Sequence, residues 1–318
     1  MISEKKISIV IPVYNVGESI INLINKIPKF IDQIYVIDDK CPLNTGKILE
    51  QSNSFNQKIK IIYNNKNLGV GGAVKVGYLE SLKNNFDIIV KIDGDGQMDP
   101  SQINELIGPL FQGYDYTKGN RFLNKVEIEN YPTVRFYGNI FLSFLSKLST
   151  GYWDIFDPVN GFTCVKSKTI KQINLNNIDN GYFFETDLLY NLNIIKSKVL
   201  DVPVNIKYFK DQKQNMNISK ESVNFFFKNI SRIKRRIKQV YFKNNFTIGS
   251  FFGSVSFFLF LFSIIFGGYN WIKYGLILKI LAPTGIVVSS FTCLLISILF
   301  FGVFLYIDHT NNPNKLNG

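Results

Sequence analysis

The chain has 318 residues, with 36 Lys or Arg against 24 Asp or Glu, for a formal charge of +12. Hydrophobic residues make up 46% and charged residues 19%, a balance that excludes a disordered chain, and the length suggests about two domains. Three cysteines far apart (Cys41, Cys164, Cys293) and one histidine (His309) exclude a disulfide scaffold, a CxxC zinc site, a His-based triad and an HExxH metalloprotease.

Strand-like and helix-like runs alternate through the first hundred residues. Ile7–Ile11 is a β-branched run ending at Pro12, and Ser19–Ile27 has helical apolar spacing. Gln33–Ile37 is a second strand, closed by Asp38-Asp39, and Thr45–Gln51 is helical. Ile59–Tyr63 is a third strand, followed by the glycine-rich stretch Asn67–Gly77; Ile88–Ile92 is a fourth, closed by Asp93-Gly94-Asp95. The alternation predicts a mostly parallel sheet covered on both faces, and ligands of such sheets sit beyond the carboxyl ends of the strands. Asp38, Asp39, Asp93 and Asp95 all fall at such ends.

Each cluster has a plain reading beside its chemical one. Asp93 and Asp95, one residue apart at a strand exit, can converge on Mg²⁺ or Mn²⁺, although Asp-Gly is also a common turn dipeptide. A calcium hand is disfavoured: Gln97 stands where a third ligand is needed, and Glu105 falls one residue late. At the first two strand exits, Tyr14 offers a nucleotide base a flat contact, with Asp39 or Asp38 as polar partner; a proline stop and an acidic turn is the alternative. The glycines of Asn67–Gly77 permit close backbone approach and open a helix whose N-terminus favours anions. This stretch is neither the dinucleotide fingerprint nor a P-loop, which disfavours hydride transfer. Further on come Lys118-Gly119-Asn120-Arg121, Arg135, Asp157–Phe162 and Gly181–Asp187. The apolar and aromatic stretch Phe136–Phe156 reads as a core helix or as a surface that meets lipid.

The charge is unevenly placed. Residues 1–227 carry 26 basic and 23 acidic side chains, whereas residues 228–243 carry seven basic and no acidic ones. Two uncharged stretches follow, Asn244–Ile272 (29 residues) and Ile280–Ile307 (28 residues), each long enough to span a bilayer. A leading basic segment places the N-terminal part in the cytoplasm, with a two-helix hairpin returning a short tail to the same side. The opening MISEKKISIVIP reads as a charged start and a strand, not a signal peptide. Next to a span, the basic segment suits anionic lipid headgroups better than nucleic acid.

Taken in order, PVYN at 12–15, the acidic pair 38–39, NxGxGGAxxxG at 67–77, DGDGQMDP at 93–100, GNRF at 119–122 and DPVNGF at 157–162 resemble the family-2 glycosyltransferases of GT-A fold. Within these, the chain is similar to the polyprenyl-phosphate branch, the dolichyl-phosphate mannose synthases and undecaprenyl-phosphate glucosyltransferases, over about residues 6–225. The basic segment and paired spans resemble the membrane-anchored bacterial members.

The resemblance implies an α/β GT-A nucleotide-diphospho-sugar transferase domain over 1–225. A basic amphipathic juxtamembrane segment (226–247), two transmembrane helices (about 248–268 and 284–307, within 248–310) and a cytoplasmic tail (311–318) would follow. It assigns metal binding to Asp93 and Asp95, with Gln97 beside the metal. Pro12, Tyr14, Asn15 and Asp39 match the nucleotide pocket, with Asp38 a further candidate, and Gly69 and Lys75 line the nucleotide. Arg121 and Arg135 match arginines for the acceptor phosphate, and Asp157 with Asn160–Phe162 the acceptor-side loop. The sequence departs from relatives after the last strand, where Lys207 or Lys210 must substitute for an arginine, and at Glu185–Asp187.

The expected activity is inverting, Mg²⁺- or Mn²⁺-dependent transfer of a hexose from a UDP- or GDP-sugar to polyprenyl phosphate. The setting is the inner-membrane face in cell-surface glycan synthesis; self-association stays open. A hydroxyl acceptor on a lipid-linked glycan is the alternative, and would need Asp157, Glu185 or Asp187 as base. An inactive membrane scaffold is the second alternative.

Overall fold

The computed structural model describes residues 4–123, 133–205, 218–243 and 246–315; side chains at 133–141 and 218–220 lie outside that description. The chain separates into two compact units, residues 1–233 and 234–318, so the division falls inside the basic segment.

The first unit is built on seven strands: β1 (Ile7–Val13), β2 (Gln33–Asp38), β3 (Ile59–Tyr63), β4 (Ile88–Lys91), β5 (Tyr116–Asn120), β6 (Thr163–Lys166) and β7 (Val199–Pro203). They lie in the order β3-β2-β1-β4-β6-β5-β7. The first four strands pair in parallel, with Val10 opposite Tyr35 and Lys91. β6 runs antiparallel to both β4 and β5, while β5 and β7 are parallel. The sheet is therefore mostly parallel, as the alternation predicts, with β6 as its antiparallel strand. The reversal of β6 sends the loop that precedes it, which contains Asp157–Gly161, to the same edge as the exit of β4.

Helices cover both faces: α1 (Ser19–Ile24), α2 (Thr45–Glu50), α3 (Val70–Lys83), α4 (Ile103–Phe111), α5 (Thr133–Thr150), α6 (Ser167–Ile170) and α7 (Phe184–Ile194). Alternation along the strands sorts the core. Ile7, Ile9 and Ile11 face Ile20, Leu23, Ile103 and Leu106 on one side, while Val10, Ile37 and Ile89 face Val74, Tyr78, Leu188 and Leu192 on the other. Strands buried on both faces read as continuous apolar runs, which is how β1 and β4 appear in the sequence.

A long helix, α8 (Ile218–Ile237), leaves the first unit. Its middle is fixed there by three polar contacts: Lys228 Nζ to Asp179 (2.6 Å), Arg232 Nε to Asp187 (2.6 Å), and the Ser149 hydroxyl to Asn229 Oδ1 (2.5 Å). Two of the seven basic side chains of 228–243 are thus spent on internal carboxylates. A third, Arg236, pairs inside the second unit.

The second unit contains α9 (Ile248–Trp271), prolonged by a π-helical stretch to Ile277, and α10 (Thr284–Thr310). Both helices are long and apolar enough to cross a membrane. α9 starts at a capping box in which Thr247 and Ser250 bond reciprocally. Ser256 and Ser297 each donate to the other's carbonyl at 3.0 Å, and Ser263 donates to the Ser290 carbonyl at 2.8 Å. At the base, Arg236 makes a two-pronged contact with Asp308 (2.8 Å on each prong), and the Tyr241 hydroxyl donates to the same carboxylate at 2.7 Å. The start and the end of the hairpin are therefore side by side.

Candidate functional site

The carboxyl ends of β1 and β4 lie together. A side chain at Gly94 would meet Val13 at 2.8 Å and the Pro12 carbonyl at 3.1 Å, so the turn after β4 rests on the exit of β1. Pro12 is buried in β1, Tyr14 is exposed beyond it, and Asn15 adopts a left-handed φ of 60°. The Asn15 backbone N–H donates to the Cys41 sulfur at 3.0 Å, joining the exits of β1 and β2.

The two acidic residues at the second exit are both buried and both hold chain. Asp38 accepts from the Cys41 N–H (2.7 Å) and the Gly46 N–H (2.9 Å), which fixes the turn into α2. Asp39 accepts from the Asn64 side chain (2.8 Å), the Leu68 N–H (2.8 Å) and the Gly69 N–H (2.8 Å). One carboxylate thus organises the whole approach to α3.

The glycine-rich stretch packs against chain rather than presenting bare amides. Gly69 has φ of 81°, and a Cβ there would sit 2.6 Å from the Asn180 carbonyl. That carbonyl accepts from the Gly72 N–H at 2.9 Å, filling the N-terminus of α3. The Lys75 ammonium donates to the Ile178 carbonyl at 2.8 Å, and burial pulls its pKa below the usual lysine value. The glycines and Lys75 therefore clamp the 178–181 loop against α3, a different use from the anion cradle that the sequence suggests.

Asp93 and Asp95 stand at the centre. Burial, then the charge of Asp93, pushes the Asp95 carboxyl up to about 6. Asp95 accepts from the Gln97 N–H at 3.1 Å, so Gln97 contributes its backbone to the turn. Asp93 Oδ1 is buried and receives no hydrogen bond; the Lys91 ammonium touches it at 2.7 Å, off the hydrogen-bond direction. Gly161 closes over the other side, where any Cβ would collide with Asp93 Oδ2 and Lys91 Nζ. A hydrogen-bond-deprived carboxylate oxygen beside a second carboxylate that resists ionisation is a donor set that suits a hard divalent cation. Among the described residues, no group of three His, Cys, Asp or Glu side chains converges on one point.

Around this pair, Asp157, Glu185 and Asp187 are each tied to a cation, whereas Asp201 accepts from the neutral Asn120 side chain and the Phe156 N–H, and burial pushes its carboxyl up to about 6. Arg121 grips buried Asp157 with Nε (2.7 Å) and Nη2 (2.9 Å), and the Asn160 amide adds a 3.3 Å bond to the same group. Glu185, buried at the start of α7, accepts from the Lys91 ammonium at 2.6 Å. Asp187, fully buried two residues further on, accepts twice from Arg232 at 2.6 Å and from the Asp179 N–H at 2.8 Å. The buried Lys118 ammonium donates to the Asn160 carbonyl and holds the 157–161 loop. Desolvation drives its pKa down to about 8, against the opposing pull of Glu185 and Asp157.

Tyr14 and Tyr182 lie at the mouth, about two-fifths exposed. Burial, then the charges of Glu221 and Asp93, raise the Tyr182 hydroxyl pKa, and Tyr14 adds to the effect. Arg135, Lys207 and Lys210 fall outside the described side chains. Sequence reasoning passes over Lys91, and it names Lys118 in a cluster without giving it a role. Their signal was present: each is a lysine inside a strand whose other side chains are buried.

A twisted α/β sheet whose carboxyl ends collect an Asp-x-Asp pair, two tyrosines and a ring of ion-paired carboxylates is the frame of a sugar transferase. The model of glycosyl transferase family 2 matches residues 8–173, and the chain belongs to that family. It is similar to the UDP-N-acetylglucosamine–dolichyl-phosphate N-acetylglucosaminyltransferase of Methanococcus voltae, 30% identical over 183 residues that cover 53% of this chain and 72% of the relative. It is also similar to the polyprenol monophosphomannose synthase of Mycolicibacterium smegmatis, 24% identical over 62% of this chain and 75% of the relative. Among solved structures, glucosyl-3-phosphoglycerate synthase from Mycobacterium tuberculosis, in complex with Mg²⁺ and UDP, superposes with a TM-score of 0.54 at 17% identity, over 74% of this chain and 84% of the other. The fold is GT-A, and the chain is a glycosyltransferase.

Proposed function

We propose that this enzyme transfers a hexose, with inversion, from a UDP- or GDP-sugar to polyprenyl phosphate at the cytoplasmic face of the membrane. The observation that carries this reading is the state of the three carboxylates that could act as a base. Asp157, Glu185 and Asp187 are buried, and each is locked to Arg121, Lys91 or Arg232. A hydroxyl acceptor needs a base within hydrogen-bond reach of its proton. A phosphate monoester does not, because its second pKa is near 6 and its oxygen is already anionic at about pH 7.

In the reaction, an acceptor phosphate oxygen attacks the anomeric carbon and the bond to the nucleoside diphosphate breaks, with no proton to place. One direct displacement inverts the anomeric centre. The protein's task is then alignment and electrostatics. Asp93 and Asp95 would hold Mg²⁺ or Mn²⁺, which when bound supplies positive charge to a diphosphate leaving group. Tyr14 at the β1 exit offers the base a face. The paired loop Asp157–Gly161, held by Arg121 and Lys118, shapes the acceptor side. Arg135 and Lys207 or Lys210 are the proposed source of positive charge for the lipid phosphate, since Arg121 is committed to Asp157.

The relatives named for dolichyl or polyprenol acceptors support the lipid phosphate, and the paired apolar helices support a membrane setting. The Arg236–Asp308 contact supports a hairpin whose two ends share one face, and the basic segment supports a cytoplasmic setting for that face.

The test is a radiolabelled donor panel on membranes from expressing cells, with undecaprenyl phosphate added and an EDTA control. EDTA-sensitive label in an organic-extractable, mild-acid-labile lipid is the expected result. Label confined to longer glycans would overturn the phosphate acceptor, and no transfer from any common UDP- or GDP-sugar would overturn the activity.

A further inference from the structure

Lys91 takes no part in the chemistry above, yet it occupies the middle of the site. It ends β4 two residues before Asp93, and its ammonium is buried with two carboxylate neighbours. Burying an ammonium is costly unless it is paired. The two pairings differ in kind. Toward Glu185 the ammonium makes a directed hydrogen bond at 2.6 Å; toward Asp93 Oδ1 it makes a 2.7 Å contact without that direction. Glu185 thus orients the ammonium, and Asp93 feels it as a charge. Gly161, with no room for a side chain, keeps the assembly closed.

Counted by themselves, Lys91, Glu185, Asp93 and Asp95 sum to two negative charges when ionised; Lys118, which Glu185 also attracts and which is held on the Asn160 carbonyl, is the same in all the variants compared. We propose that Lys91 and Glu185 are positioning residues that aim Asp93 and set the affinity for a divalent cation. This rests on the reading of Asp93 and Asp95 as the cation's carboxylates. Neutralising Glu185 alone leaves one net negative charge and frees the ammonium to bond fully with Asp93, in competition with the cation. Neutralising both partners restores two negative charges and releases Asp93.

The experiment titrates Mn²⁺ alone into the full-length detergent-solubilised protein and follows free Mn²⁺ by electron paramagnetic resonance, with a melting curve for each variant. Glu185→Gln is expected to weaken Mn²⁺ binding by about tenfold or more, the usual scale for partners of metal-binding side chains. Adding Lys91→Met to Glu185→Gln is expected to recover most of that loss. A merely structural role predicts the reverse, because damage from two core substitutions accumulates. Unchanged affinity in Glu185→Gln, or further loss in the double variant, overturns the proposal. If Glu185→Gln does not fold, the double variant decides: Mn²⁺ binding near the wild-type level supports the proposal, and a large loss overturns it. A wild-type protein that binds no Mn²⁺, or an Asp95→Asn variant that binds it as well as wild type, sinks the underlying metal reading and is distinguishable from either result.

Discussion

Around β4 and α7, Glu185, Asp157 and Asp187 each face a lysine or arginine drawn from a distant part of the chain, and Asp93 faces its near neighbour Lys91. In the second unit, the only buried charged side chains among the described residues are Arg236 and Asp308 at the base, and the polar groups between α9 and α10 are hydroxyls bonded to carbonyls. The same device, a two-pronged arginine on an aspartate, appears in both regions with a different consequence. In the first unit it removes candidate bases from a site that still holds an Asp-x-Asp pair. In the second it ties the helix entering the hairpin to the helix leaving it. The hairpin leaves Phe257, Phe258, Ile265 and Leu299 largely exposed, a surface that suits hydrocarbon.

The sharpest way to break the comparison is to remove charge where the first unit leaves it unneutralised. Asp95→Asn should lower transfer by roughly three orders of magnitude or more, as expected for a group that helps hold the leaving diphosphate, with little change in melting temperature. Full activity in a donor-panel assay would contradict the assignment.

A smaller effect, on folding rather than chemistry, is expected at the hairpin base. Arg236→Met alone strands Asp308 in a buried setting and should cost about 3–5 kcal/mol, whereas Arg236→Met with Asp308→Leu should be near neutral. Thermal unfolding in detergent separates the two, and equal destabilisation by both variants would mean the pair is not isolated from its surroundings.

Asp187→Asn sharpens the contrast between paired and available carboxylates. Loss of a working general base costs about 10²–10⁴-fold in rate. A paired carboxylate should instead lose stability and keep transfer within about tenfold, with an unchanged pH–rate profile.

The smallest effect concerns Lys118. Its folded pKa of about 8 lies below the 10.5 of the free side chain. Between those values the unfolded chain binds more protons, so stability rises as pH increases through that window and the burden is fully present below it. A rise in melting temperature of about 2–4 °C across this window is expected, on the scale of 1 kcal/mol for a domain of this size. Lys118→Met should flatten it.

Much of the first unit was legible from local pattern. The strands at 7, 33, 59 and 88 begin where the sequence reading starts them; β1 and β4, buried on both faces, are apolar runs, while edge strand β3 exposes Lys60 and Tyr63. The Asp-x-Asp pair, the strand exits and the two spans were visible for the same reason: each is a contiguous feature. The antiparallel β6 was not, since the direction of a four-residue strand is set by its neighbours. Nor was the role of the glycines at 69–72, whose partner, Asn180, lies far along the chain.

The sequence by itself determined the family, the α/β alternation, the site's location at the strand ends and the apolar hairpin, because periodicity, composition and contiguous motifs are local properties. Only the tertiary structure decided which carboxylates are held and which are left for a cation. The decisive pairs are 94, 36 and 45 residues apart, for Lys91–Glu185, Arg121–Asp157 and Asp187–Arg232. A carboxylate's chemistry depends on the charges and donors within a few ångströms of it, and only folding brings these together.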